Sequence, residues 1–146
     1  MARTRLHFSL SHSRDLLVCA VSSQVVGVDI EDTAVDRDFE RLGAWIYGAH
    51  ETAMLANQCQ SARRAGFYAL WALKEAWLKC WGTHYPMCLV QFAPCAARDA
   101  QAAVLTDPRW TLALVGRAQV STMACSPELN DAALAWWRIV DVPFGA

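Results

Sequence analysis

Apolar and polar residues alternate along the first thirty positions, and the period then changes. Leu6-His7-Phe8-Ser9-Leu10 alternates and predicts a short strand, with the small and polar Ser11-His12-Ser13 at its end. Residues 16–21 predict a second strand. Ser22-Ser23-Gln24 turns the chain, and residues 25–31 predict a third strand, paired with the second as a hairpin. In this third strand Val26, Val28 and Ile30 take one face, while Gly27, Asp29 and Glu31 take the other.

From residue 36 the pattern becomes helical. Residues 36–47 form one expected helix, with Phe39, Leu42, Trp45 and Ile46 on one side, and residues 49–57 a short second one. Residues 61–81 predict a long helix, free of proline and ending at Gly82. Its expected apolar stripe is Phe67, Leu70, Trp71, Leu78 and Trp81, widened by Leu73 and Trp77. Strands are then expected at 89–92, 102–105, 110–115, 120–125 and 133–140, with turns at Asp107-Pro108 and Ser126-Pro127. Strands, helices and again strands imply an α+β fold. An antiparallel sheet would pack against the long central helix and the shorter ones, as one domain over residues 1–146.

Composition narrows the function classes. The chain is 55% hydrophobic with seven tryptophans, a globular composition with apolar surface to spare. Thirteen basic against fourteen acidic residues argue against nucleic acid or an anionic membrane as partner. No apolar run reaches transmembrane length and the N-terminus lacks a signal-peptide core. The six cysteines contain no C-x-x-C pair. A reducing, cytoplasmic setting is expected.

Three charged positions stand out in the long helix. Glu75 and Lys79 share a face beside the apolar stripe, and Lys74 falls within the stripe itself. On residue grounds alone they read either as an i,i+4 ion pair with Lys74 reaching for water, or as a metal carboxylate with phosphate-binding lysines. Asp29 and Glu31, side by side at i,i+2, read either as a solvated strand face or as a pair that needs a cation.

Gly27-Val28-Asp29-Ile30-Glu31, followed about forty residues later by Trp71-Ala72-Leu73-Lys74-Glu75-Ala76-Trp77-Leu78-Lys79, resembles the paired signature of the 4'-phosphopantetheinyl transferases. Phe8-Ser9-Leu10-Ser11-His12-Ser13 is similar to the serine-histidine-serine segment of the Sfp-type branch. The resemblance implies transfer of the phosphopantetheine arm of coenzyme A to a serine of an apo acyl or peptidyl carrier protein, with Mg²⁺ required and 3',5'-ADP released. By position, Asp29, Glu31 and Glu75 resemble the metal ligands. Lys79 and Lys74 resemble partners of the coenzyme's diphosphate, and His12 with Ser11 partners of its 3'-phosphate. Glu75 or a metal-held water would act as general base.

The chain resembles only the second half of the usual two-half enzyme. The glycine-rich segment expected after the helix reads Trp81-Gly82-Thr83-His84-Tyr85-Pro86. Arg3 and Arg5 are candidates to replace basic residues of the absent half. Family members hold the coenzyme between two halves, so a homo-oligomer, a dimer first, is expected. The competing readings are a non-catalytic module that binds coenzyme A or a carrier protein, and a metal-dependent phosphoesterase.

Overall fold

The computed structural model describes residues 5–82, 84–120 and 123–141. Arg3 and Thr83 lie outside the described residues.

β1 (His7–Ser13) and β2 (Leu16–Ser22) pair antiparallel, from His7↔Ser22 to Ser13↔Leu16. Their two-residue connection has Arg14 at φ 53°, the positive φ that such a tight turn demands. β3 (Val26–Asp32), β4 (Gln91–Pro94), β5 (Ala102–Thr106), β6 (Trp110–Gly116) and β7 (Ala133–Asp141) form a second sheet in the order β3-β6-β5-β7-β4. Each of its pairings is antiparallel. The α+β architecture is as expected.

Two details differ from the sequence reading. β2 is the partner of β1, not of β3. The reason lies in the free edge of β3. β1 runs beside that edge, and the hydroxyls of Ser9, Ser11 and Ser13 accept the N–H groups of Val28, Ile30 and Asp32 at 3.0, 3.3 and 3.0 Å. Side-chain oxygens thus satisfy backbone donors that a bare edge would leave exposed. The second difference is at residues 120–125, whose described members lie outside any strand.

α1 (Phe39–Ile46) starts at Asp38, whose side chain accepts from Arg41 N, and α2 (Ala49–Leu55) follows it. α3 (Gln60–Trp81) ends at Gly82 with φ 63°, the left-handed conformation glycine adopts freely. α3 lies on the five-stranded sheet, and Phe67, Leu70, Leu73 and Trp77 of the expected stripe are buried, but the buried side also takes in small residues and leaves part of the stripe out. Ala69, Ala72, Leu73, Ala76, Trp77 and Cys80 are buried, whereas Trp71, Leu78 and Trp81 are half-buried. Small residues let the helix backbone approach the sheet closely. The closest approach is at Gly27, where a Cβ would fall onto the Ala76 carbonyl oxygen and 2.7 Å from the Cys80 nitrogen.

The opposite sheet face carries Val28, Ile30, Leu105 and Leu112, partly covered by Leu16, Val18 and Ala20 of β2. A cavity of about 650 Å³ remains between them. On the outer face of the β1–β2 pair, Phe8 (71% exposed), Leu10, Leu17 (76%) and Val21 stand in solvent. Among the described residues no helix is long and apolar enough to cross a membrane.

Gly27→Ala is expected to destabilise by at least roughly 1–3 kcal/mol, because helix backbone must move to admit the methyl group. Leu70→Ala, a truncation of a fully buried side chain, is expected to cost roughly 2–5 kcal/mol. Urea unfolding of both variants beside the parent checks the two values.

Candidate active site

Strand alternation turns Asp29 and Glu31 to the side of β3 that carries Gly27, toward α3. Helical spacing turns Glu75 and Lys79 toward them. The two elements therefore meet with their charges facing.

Lys79 is the centre of the contact. Its ammonium donates to Asp29 Oδ1 at 2.7 Å, Ser11 Oγ at 3.0 Å and the Val28 carbonyl at 3.1 Å. Ser11, itself buried, donates to Asp29 Oδ1 at 2.8 Å while accepting from Ile30 N–H. Glu31 accepts from Arg37 Nη2 at 3.0 Å and from Ser13 Oγ at 3.4 Å. The Arg37 guanidinium also lies over the Trp71 ring, 5.3 Å from its centroid.

Two carboxylates are under-supplied with partners. Asp29 Oδ2 is buried and unpaired among the described residues. Burial pushes the Asp29 pKa up and the Glu31 charge adds to this, against the opposing pull of Lys79 and Ser11. Glu75 is half-buried, and no described group donates a hydrogen bond to its carboxylate. Burial raises its pKa first, then the charges of Asp29 and Glu31, with Lys79 opposing. An orphaned buried carboxylate oxygen beside two further carboxylates is a donor set of hard oxygens, and it fits a small hard dication. As the side chains stand, Lys79 and Arg37 hold Asp29 and Glu31, and no three His, Cys, Asp or Glu groups among the described residues are gathered in a metal-holding cluster.

The structure separates Ser11 from His12. Ser11 turns inward to Asp29, and His12, one residue on in a strand, is exposed beside Leu10 on the outer face. Lys74 departs further from its expected role. It neither reaches water nor faces Asp29. Only 1% of its side chain is exposed, and it donates to Glu51 Oε2 at 2.7 Å and to the carbonyls of Met87 and Val90 at 2.8 and 2.6 Å. Burial depresses its pKa, and the Glu51 charge works against that depression.

Glu51 and Arg37 are the residues the sequence reading missed. Neither carries a motif: Arg37 is marked by its pairing with Glu31, and Glu51 by its burial alone. Of the nearby arginines, Arg63 pairs with Glu40, and Arg64 donates to the Thr33 carbonyl. Arg41 is exposed.

A model of the 4'-phosphopantetheinyl transferase superfamily matches residues 25–131. The 4'-phosphopantetheinyl transferase psf-1 of Bacillus pumilus is 36% identical over 66% of this chain and 40% of its own length. HetI, a 4'-phosphopantetheinyl transferase of a Nostoc species, is 30% identical over 76% of this chain and 47% of its own. The gsp transferase of Aneurinibacillus migulanus is 31% identical over 53% and 32%. The chain thus spans between about a third and a half of these relatives' lengths. In fold it is similar to Thermotoga maritima holo-[acyl-carrier-protein] synthase, with a TM-score of 0.51 and 22% identity over 62% of this chain and 60% of that one.

The raised carboxylates give a signed stability prediction. A carboxyl whose folded pKa lies above its unfolded value binds more protons in the folded state, so its ionisation costs stability as pH rises through that window. Asp29→Asn and Glu75→Gln are therefore expected to be neutral or stabilising at pH 7. The difference from the parent should shrink toward about pH 4, near the ordinary carboxylate value. Urea titrations at the two pH values check the sign; a large loss at pH 7 would mark either residue as structural.

Proposed function

The chain belongs to the 4'-phosphopantetheinyl transferase superfamily, and from that membership we propose that it moves the phosphopantetheine arm of coenzyme A to a serine of an apo acyl or peptidyl carrier protein, releasing 3',5'-ADP. The observation that carries the reading is the meeting of Asp29, Lys79 and Ser11 within hydrogen-bond distance, with Glu75 alongside. It acts as a single domain in the cytoplasm.

Asp29, Glu31 and Glu75 would hold Mg²⁺. When bound, the ion supplies positive charge against the coenzyme's phosphoryl oxygens. Lys79 is one-third exposed, at 33% of its side chain. Its ammonium can reach from Asp29 to the diphosphate and neutralise charge that builds there. The carrier serine's oxygen attacks the phosphorus bearing the pantetheine arm. The bond to 3',5'-ADP breaks, and the serine proton passes to Glu75. Glu75 is half-buried beside Lys79 and Asp29, and no described group donates a hydrogen bond to its carboxylate, which leaves an oxygen to take the proton.

The outer face of β1–β2 supports a second element of the reading, a homodimer. The polar side of β1 is taken up by β3, so its apolar side faces solvent with Phe8, Leu10, Leu17 and Val21 exposed. Charged residues are absent from the paired outward positions Phe8↔Val21, Leu10↔Cys19 and His12↔Leu17. Such a face suits a second copy, and it would bring His12 to the seam, where the coenzyme's 3'-phosphate would lie. The alternative is a non-catalytic module holding coenzyme A or a carrier protein; the occupation of Asp29 and Glu31 by Lys79 and Arg37 favours it.

Mass spectrometry of an apo carrier protein incubated with the chain, coenzyme A and Mg²⁺ tests the reaction. A gain of one phosphopantetheine is expected, abolished by chelation and reduced roughly 10²–10⁴-fold by Glu75→Gln. Binding of coenzyme A without any transfer would select the non-catalytic module. Light scattering across a dilution series tests assembly. A dimer is expected for the parent and a monomer for the Phe8→Asp/Leu17→Asp variant. A parent monomeric at every concentration that still transfers would remove the dimer.

A further inference from the structure

The most buried ion pair among the described residues joins α2, α3 and the segment leading into β4. Glu51 is 0% and Lys74 1% exposed, with 2.7 Å between them. All three ammonium protons are used, on Glu51 and on the carbonyls of Met87 and Val90. The carboxylate is equally occupied. Oε1 accepts from Phe92 N–H, and Oε2 accepts from Gly48 N–H as well as from Lys74. Four pieces of chain are tied at one point: the start of α2, the middle of α3, the turn Met87–Leu89 and the start of β4.

This knot sits one residue before Glu75 and five before Lys79. A rigid helix anchored at Lys74 has its rotation fixed, and that rotation decides which residues face β3. We propose that Glu51 and Lys74 act as a positioning pair, holding α3 in the rotation that turns Glu75 and Lys79 to Asp29 and holding the segment before β4 in place, and that Lys74 does not touch the coenzyme. The proposal rests on the transferase reading for what the positioned groups do; the buried contact itself stands apart from that reading.

A buried pair has a distinctive response to substitution. Removing one partner strands the other's charge, whereas neutralising both removes the difficulty. Lys74→Met alone is expected to lower the thermal midpoint by roughly 10 °C. The Glu51→Gln/Lys74→Met double variant is expected to recover most of that loss. Assayed where it is fully folded, Lys74→Met should show kcat reduced about tenfold or more, with KM for coenzyme A within about threefold of the parent, an effect on transition-state geometry and not on substrate binding. The double variant, stable again but without the anchoring contacts of Lys74, should keep the reduced kcat. A kcat unchanged per folded molecule would reduce the pair to a structural role, and a KM that stays raised in the well-folded double variant would make Lys74 a coenzyme contact. Either result overturns the proposal.

The unsubstituted protein offers a direct check, because Lys74 and Lys79 are the only lysines in the chain. Reductive methylation followed by peptide mass spectrometry should modify Lys79 and spare Lys74. Adding coenzyme A should protect Lys79 and change nothing at Lys74. Methylation of Lys74 that coenzyme A suppresses would overturn the proposal. Failure of coenzyme A to protect Lys79 would count against the proposed function, while the folding comparison still decides the pair.

Discussion

The close approach of β3 to α3 at Gly27 is the constraint on which the rest depends. Helix backbone at Ala76 and Cys80 occupies the volume where a side chain at position 27 would stand. Only at that separation can Lys79 reach Asp29 Oδ1 at 2.7 Å and the Val28 carbonyl at 3.1 Å. Moving the helix outward by a methyl group would weaken both contacts at once, since hydrogen bonds fall off steeply with distance. Fold and candidate site therefore share one point of contact, and the alanines of α3 serve the site as much as the core.

β1 links this contact to the outer surface. Its serines cap the free edge of β3, and Ser11 also joins Asp29 to Lys79. A strand has two faces, so committing the polar one inward sends the apolar one outward. The exposed Phe8 and Leu10 follow from the position of the serines.

Charge is arranged in two layers along α3. Glu75 and Lys79 face β3, where partial exposure keeps them available to a ligand. Lys74 is turned to the opposite interior, where Glu51 and two carbonyls use it completely. Two lysines of one motif thus have different chemical availability because five residues separate them by well over a quarter turn of helix.

The sequence by itself determined the periods, and with them most of the elements: α3 and its stop at Gly82, β3 with its alternating carboxylates, and β5, β6 and β7. It also determined that Asp29, Glu31, Glu75 and Lys79 were the residues to watch, because a strand and a helix each present their charges on a face fixed by local geometry. Pairing was a tertiary decision. β2 joined β1 because the serines of β1 could satisfy the edge of β3, a donor–acceptor match between separate strands that no local pattern encodes. The buried face of α3 was partly decided in the same way. Periodicity marked Phe67, Leu70, Leu73 and Trp77, which are buried, while contact with the sheet added the alanines that let backbone approach a glycine and left Trp71, Leu78 and Trp81 half-buried. Lys74 in an apolar stripe could only be read as a surface lysine or a ligand until Glu51, on another helix, was seen to be buried against it. A buried charge is intelligible only with its partner, and the partner is supplied by the fold.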